Sequence, residues 1–136
     1  MKRHPRESGM SILEIVIVVL IIGILAAIAY PSYRAQVRRS NRTEARVALE
    51  QTAGALEKCY TRYMAYNDIA NCPAANQFNG GATISTPKGL YAVSAPTLNG
   101  TQFTLRADAQ NAQTSDASCT RLEMDQTGNR TPATCW

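Results

Sequence analysis

Histidine, aromatic residues and charged residues are scarce in this sequence of 136 residues. It has one histidine, its aromatic content is 7%, and its charged content is 18%. One histidine excludes a histidine-rich metal site, and the four cysteines lack the CxxC spacing of most zinc sites. The length is that of one domain, which argues against a large hydrolase or dehydrogenase. We therefore expect no metal centre and no cofactor.

What the sequence does have is one long apolar run near its start. Ile15–Tyr30 contains no charged residue, and extending it back to Met10 adds only Ser11 and Glu14 as polar interruptions. As a helix, this stretch would be about 31 Å long, close to the thickness of the hydrocarbon core of a membrane. The run predicts a transmembrane helix over residues 10–31.

The flank of this run is unusual for a secretory signal. A conventional signal has its small-residue cleavage site after the apolar core, whereas Gly9 lies before it. Cleavage after Gly9 would release residues 1–9 as a basic leader and leave Met10 as the new N-terminus. The alternative of a conventional signal or simple anchor stays open, because small alanines also end the run.

Glu14 is the charged residue within this apolar run. An ionised side chain costs on the order of 2.5–3.5 kcal/mol near the centre of a membrane helix and less near its end. If Gly9 is the cleavage site, the free ammonium group of Met10 could pair with Glu14 of the same or a neighbouring chain. A position of Glu14 at the level of the lipid headgroups is the alternative.

These residues together resemble the start of a known family. Gly9–Glu14 and the apolar run up to Tyr33 are similar to the class III leader and N-terminal helix of type IV pilins, although Met10 and Ser11 replace the commonest Phe and Thr. The resemblance implies that a prepilin peptidase cuts between Gly9 and Met10 and methylates the Met10 amine. It also implies that Glu14 neutralises the N-terminus of an adjacent subunit during assembly.

Helical periodicity continues beyond the apolar run. Pro31 costs about 3 kcal/mol inside a helix, yet the pattern resumes and predicts one helix from Met10 to about Tyr63, kinked at Gly23 and Pro31. Its second half is amphipathic, with a predicted buried stripe at Val37, Ala45, Ala48, Leu49, Thr52, Leu56, Cys59, Tyr60 and Tyr63.

Five arginines follow the apolar run, at Arg34, Arg38, Arg39, Arg42 and Arg46. They form either a solvated helix face or a surface that contacts acidic lipids or carboxylates of a neighbouring subunit. Three Lys or Arg residues precede the run and five follow it closely, so charge alone favours the opposite orientation. The cysteines and the leader outweigh this rule and place the head, residues 32–136, in the periplasm.

The remainder of the chain reads as a small α+β head. Loop residues dominate 67–87, and alternating patterns predict strands over 90–95, 102–107 and 120–125. This small antiparallel sheet needs the amphipathic half of the helix as its cover. The expected architecture is a long kinked N-terminal helix, transmembrane in its first half, packed on a disulfide-stapled antiparallel sheet as in pilins.

Four cysteines allow three disulfide pairings. We favour Cys59–Cys72 and Cys119–Cys135 because each closes a compact loop and stabilises the fold by roughly 3 kcal/mol. A C-terminal disulfide loop resembles the variable loop of type IV pilins. The LxxDxxG pattern of residues 122–128, before the final Cys-Trp, is similar to type IVa minor pilins.

We therefore expect a minor subunit of a type IV pilus, without enzymatic activity, that supports adhesion or twitching motility. The resemblance implies other pilins, a prepilin peptidase and the inner-membrane assembly machinery as partners. A pseudopilin of a type II secretion system and a DNA-uptake pilin are the alternatives. DNA is less favoured because the chain has six basic and seven acidic residues from position 47 onward, despite its overall charge of +4.

Overall fold

The computed structural model describes residues 10–136, whose fold divides into two compact units between Gln36 and Val37. One helix, α1 (Ile12–Tyr63), contributes to both units. It begins two residues after the predicted start at Met10 and ends where the periodicity ends, so the long N-terminal helix is confirmed. Pro31 lies inside α1 and does not terminate it. The kink at Gly23 and Pro31 stays a prediction.

The first unit is the apolar start of α1. Its large hydrophobic side chains from Ile12 to Ile28 are between 45% and 82% exposed. By length and composition this part of α1 could cross a membrane, and none of that window is buried within the described residues. Apolar surface of this extent is unfavourable in water, so this segment needs lipid or other protein around it.

The second unit contains an antiparallel sheet whose five strands are adjacent in chain order. These strands are β1 (Ile84–Ser85), β2 (Tyr91–Leu98), β3 (Phe103–Ala109), β4 (Arg121–Asp125) and β5 (Arg130–Thr131). The three predicted strands correspond to β2, β3 and β4. The register between β2 and β3 shifts between Ser94 and Thr97. Pro96 lies at this irregularity, where its missing N–H does not interrupt a regular ladder.

The second half of α1 covers one face of this sheet. Ala45, Leu49 and Leu56 are fully buried, and Cys59 is nearly so. The strands supply alternate residues to the same core, namely Tyr91, Val93, Phe103, Leu105, Ala107, Leu122 and Met124. This alternation is the period of a strand with one buried face, which explains why the pattern was readable from the sequence.

Two residues of the predicted stripe lie outside the core. Val37 and Tyr63 are each 38% exposed, whereas the buried residues of α1 run from Ala45 to Cys59. Periodicity identifies the face of a helix, but it does not show how far along that face the sheet extends. The prediction that Val37 and Tyr63 are buried was therefore wrong.

The segment predicted as loop contains three short elements. These are β1, a 3₁₀ turn at Asn79–Gly81 and the four-residue helix α2 (Pro73–Asn76), which begins with a proline at its first turn, where proline is tolerated. Elements of two to four residues are too short to produce a recognisable hydrophobic period. Just before them, Tyr66 is stacked on Tyr60, with ring centroids 4.5 Å apart, and packs edge-on against Phe103 at 5.0 Å.

Both disulfides have the pairing that loop length favoured. Cys59–Cys72 joins the end of α1 to the segment before α2. Cys119–Cys135 joins the residue two before β4 to the C-terminal tail. The second bridge thus closes a loop that includes β4, β5 and the turn between them.

Candidate functional site

The predicted cleavage site falls at the limit of the described residues. Gly9 lies outside them, whereas Met10 is 66% exposed. Glu14 lies in the first turn of α1, where the positive end of the helix dipole favours a carboxylate. Within residues 10–136 no ion pair involves Glu14. Its carboxylate is thus free to meet a cation from outside this part of the chain.

Arg42 does not face outward, as a lipid or subunit contact would. Its guanidinium donates from Nε to Oδ2 of Asp116 at 2.7 Å and from Nη2 to Oδ1 at 2.8 Å. The side chains of Arg42 and Asp116 are only 13% and 6% exposed. This bidentate geometry is the strongest form of an arginine–carboxylate pair. The interpretation of Arg42 as a lipid or subunit contact was therefore wrong.

Arg46, one turn further along α1, also turns into the head. Its Nε and Nη2 donate to the backbone carbonyl of Cys135 at 3.1 and 2.7 Å. Arg46 is therefore held against the C-terminal tail, and its role as a lipid or subunit contact stays a prediction. Four residues advance a side chain by about 40° around a helix, so Arg42 and Arg46 lie beside the buried stripe of α1 and not within it.

A buried polar cluster surrounds the Arg42–Asp116 pair. Gln113 is 1% exposed and donates through Nε2 to the Arg38 carbonyl and to Oδ2 of Asp116, at 3.2 and 3.1 Å. Its Oε1 accepts a hydrogen bond from Nδ2 of Asn41 at 3.2 Å. The cluster therefore joins α1 to the loop between β3 and β4.

Charge and burial shift the protonation equilibria in this cluster. The hydrogen bond from Arg42, together with its charge, lowers the pKa of Asp116 below its usual value despite burial. The hydrogen bond to Asp116 likewise raises the pKa of Arg42. Burial raises the pKa of Tyr91, whose hydroxyl is enclosed beside them. All three groups therefore keep their ordinary charge states at neutral pH.

Sequence reasoning missed Asp116 and Gln113 as partners of the helix. The available signal was the imbalance on the helix itself, where five arginines between positions 34 and 46 are opposed by Glu44 alone. An amphipathic helix with that excess needs carboxylates from elsewhere if any of the arginines is buried.

The other three of the five arginines after the apolar run have different surroundings. Arg39 is exposed and Arg38 is half-buried, while neither forms an ion pair within the described residues. In the first unit, the Arg34 guanidinium lies over the Tyr30 ring, with its central carbon 5.8 Å from the centroid. Arg34, Arg38 and Arg39 therefore stay predicted as lipid or subunit contacts.

The carboxylates of the second unit are all engaged within it. Eight acidic residues lie in this unit, and each accepts at least one hydrogen bond from the same chain: Glu44, Glu50, Glu57, Asp68, Asp108, Asp116, Glu123 and Asp125. By contrast, Lys58, Arg62 and Lys88 are exposed cations without an ion pair among the described residues. The four ion pairs remove equal numbers of positive and negative charges, so the second unit keeps its formal excess of two basic residues.

Lys58 and Arg62 lie one turn apart near the end of α1. Together with Tyr63, Asn71 and neighbouring residues they line an open cavity of about 600 Å³. Two cations beside an exposed aromatic ring and an amide provide the groups that bind a phosphate-bearing polymer. In residues 10–136 no three His, Cys, Asp or Glu side chains meet as a metal site requires, and all four cysteines are in disulfides.

Two protein-family models match this chain. The model described as "Prokaryotic N-terminal methylation motif" matches residues 4–30. The model described as "Type IV minor pilin ComP, DNA uptake sequence receptor" matches residues 31–123, which is more than half of the chain.

Curated relatives agree with these matches. A fimbrial protein of Neisseria meningitidis serogroup B is 33% identical over 94 residues, covering 69% of this chain and 52% of its own length. The fimbrial protein EcpC of Eikenella corrodens is 39% identical over 98 residues, 69% of this chain and 59% of its own. The type IV major pilin PilA of Myxococcus xanthus is 40% identical over 68 residues, which cover 50% of this chain and 31% of PilA. The chain thus spans about a third to three fifths of these relatives.

A solved structure shows the same fold. The structure of a type IV pilin from Shewanella oneidensis matches with a TM-score of 0.54 and 30% sequence identity, covering 73% of this chain and 97% of that one. Its similarity confirms the α+β pilin architecture of a helix on a disulfide-bonded antiparallel sheet. With an N-terminal methylation motif, a pilin family model over the head and a pilin fold, the chain belongs to the type IV pilin family.

Proposed function

We propose that this protein is a subunit of a type IV pilus, assembled through the apolar first half of α1. The observation that carries the proposal is the contrast between the two units. The second unit buries its own core, whereas the first exposes a continuous apolar helix that begins with Glu14. Bundling with the helices of other pilins would cover that apolar surface and give Glu14 a cationic partner.

The precursor would sit in the inner membrane as a single-pass protein with its head in the periplasm. A prepilin peptidase would cut between Gly9 and Met10 and methylate Met10, which agrees with the methylation motif over residues 4–30. The inner-membrane machinery would then move the subunit into the pilus, where it supports adhesion or twitching motility. The pilin and fimbrial relatives favour a pilus over a secretion pseudopilin, and the family description favours a minor subunit.

Replacing Glu14 with alanine tests the assembly role. We expect Glu14→Ala to leave cleavage and methylation intact but to reduce the amount of subunit in purified pili by about tenfold, as loss of about 1.4 kcal/mol would do. Quantitative immunoblots of sheared pili measure incorporation. Mass spectrometry of the mature N-terminus measures processing.

Ser11→Ala is the matched control, because Ser11 is also exposed near the start of α1 and carries no charge. It should assemble normally. Normal incorporation of Glu14→Ala would exclude the proposed role of Glu14. Retention of residues 1–9 in the unaltered protein would contradict processing at Gly9.

DNA binding is a second candidate function. The family description names a DNA uptake sequence receptor, and the unpaired cations Lys58, Arg62 and Lys88 provide a specific reason to test it in this chain. Lys58 and Arg62 lie one turn apart and have no ion pair among the described residues, so they would attract a polyanion together.

The double variant Lys58→Gln/Arg62→Gln tests this function. We expect the full-length protein in detergent to bind duplex DNA with an affinity that falls with salt. The variant should reduce the slope of log affinity against log salt by about 2, one for each lost phosphate contact. Fluorescence anisotropy with labelled duplexes measures both the affinity and its dependence on salt.

Arg106→Gln/Arg121→Gln is the matched control, since it removes the same charge from two arginines already paired with Glu123 and Asp108. It should retain most of the binding. No binding of the unaltered protein even at low salt would exclude the DNA function without affecting the pilus proposal.

A further inference from the structure

The apolar run of α1 ends in a small polar and aromatic cluster. Tyr30 and Tyr33 are 62% and 69% exposed, and the Arg34 guanidinium carbon lies 5.8 Å from the centre of the Tyr30 ring. All three residues belong to the first unit. The fifteen residues before Tyr30 include no charged and no aromatic side chain. The change from apolar to amphipathic character is therefore abrupt.

Each member of this cluster suits the boundary between lipid and water. A tyrosine ring is apolar while its hydroxyl requires a hydrogen-bond partner, which makes it favourable at the headgroup level. An arginine can bury its aliphatic stem and extend its charged end to the interface. Its planar guanidinium binds phosphate oxygens through paired hydrogen bonds.

We propose that Tyr30, Tyr33 and Arg34 form an interfacial anchor that binds anionic lipid headgroups on the head side of the membrane before assembly. The proposal rests on the membrane residence proposed above. It adds a specific lipid class and a fixed depth for α1, neither of which membrane residence alone requires.

The distance from the anchor to Glu14 supports a lipid partner. Sixteen residues separate Glu14 from Tyr30, which corresponds to about 24 Å of helix. If Tyr30 lies at one boundary of a hydrocarbon core about 30 Å thick, Glu14 lies within about 6 Å of the other. The anchor therefore holds Glu14 at a shallow depth, where an ionised carboxylate costs least. A contact with a neighbouring subunit would not require this spacing.

Depth-dependent fluorescence quenching tests the anchor in the full-length protein. Trp136→Phe removes the single tryptophan of the chain, and Tyr30→Trp or Leu20→Trp then adds one reporter. Each protein is reconstituted in vesicles of phosphatidylcholine and phosphatidylglycerol with bromine placed either near the headgroup or deep in the acyl chain. Position 20 lies about 15 Å from position 30, near the middle of the membrane.

We expect shallow bromines to quench the reporter at position 30 most, and deep bromines to quench the reporter at position 20 most. If neither reporter is quenched, membrane residence itself is wrong. If position 20 behaves as expected but position 30 is quenched from the deep site or not at all, the proposed anchor is wrong. The same result would still support the transmembrane position of α1.

The choice of lipid is tested with bromine on one headgroup class at a time. Brominated phosphatidylglycerol should be enriched about fivefold over brominated phosphatidylcholine around position 30, as one arginine near an anionic surface predicts. Arg34→Gln should abolish this preference, whereas Arg121→Gln, which changes an exposed arginine of the head, should retain it. A preference that survives Arg34→Gln, or none in the unaltered chain, would overturn the recognition of anionic lipid.

Discussion

At the scale of single residues, arginines on one helix have different roles. Arg42 and Arg46 are used inside the head, whereas Arg34 and Arg39 are exposed. Spacing alone could not separate them, because a four-residue repeat follows a helix face only approximately. The distinction depends on Asp116 and the Cys135 carbonyl, which reach α1 from more than seventy residues away in sequence.

Arg42→Ala should destabilise the head by about 3 kcal/mol at neutral pH, because it leaves the Asp116 carboxylate buried without its partner. Unfolding of the full-length protein in detergent, followed by circular dichroism against denaturant, measures the loss. Glu50→Ala, which breaks the exposed pair with Arg130, should cost less than about 1 kcal/mol. Equal losses for the two variants would contradict a special role for the buried pair.

The same pair predicts a dependence on pH. The pKa of Asp116 is lower in the folded protein than in the unfolded chain. Its contribution is therefore fully present above the unfolded pKa of about 3.9 and is lost as pH falls through the folded value. The difference in stability between the unaltered protein and Arg42→Ala should shrink as pH falls below about 4 and then through the lower folded pKa of Asp116, where the carboxyl becomes neutral in the folded protein. Asp116→Asn should remove this dependence of stability on pH.

At the scale of elements, the sequence predicted the helix and the strands that are long enough to repeat their buried positions. α1, β2, β3 and β4 each repeat their buried positions over several residues. By contrast, α2, β1 and β5 have two to four residues each. Their positions depend on hydrogen bonds to neighbouring elements rather than on a pattern of their own. The candidate site was partly hidden for the same reason, since Asp116 and Gln113 lie in irregular segments.

The C-terminal disulfide is an element whose removal should have a measurable cost. Cys119→Ser/Cys135→Ser opens a loop of sixteen residues, which should reduce the free energy of unfolding by about 3 kcal/mol. Denaturant unfolding of the full-length protein measures this value, with the exposed Ser115→Ala as a control. Because Arg46 still holds the Cys135 carbonyl, fluorescence of the adjacent Trp136 should stay native-like at low denaturant. An unfolded spectrum there would show that the bridge alone holds the tail.

At the scale of the whole molecule, the chain divides into a unit that completes its own core and a unit that does not. The division was readable from composition, because one block is apolar throughout and the rest is mixed. The partners of the charged side chains were not readable from composition. From Val37 onward there are ten basic and eight acidic residues, but only the structure shows that every one of those carboxylates is already hydrogen-bonded within the unit.

The two edges of the sheet have a consequence for the proposed packing of this protein among other pilins. β1 and β5 are the outermost strands, and each is only two residues long. Long free edges on crowded neighbours would pair strand to strand and fuse the sheets irreversibly. Edges this short offer too few backbone groups for such fusion. In the proposed pilus, the head would therefore lie beside other pilin heads without joining its sheet to theirs.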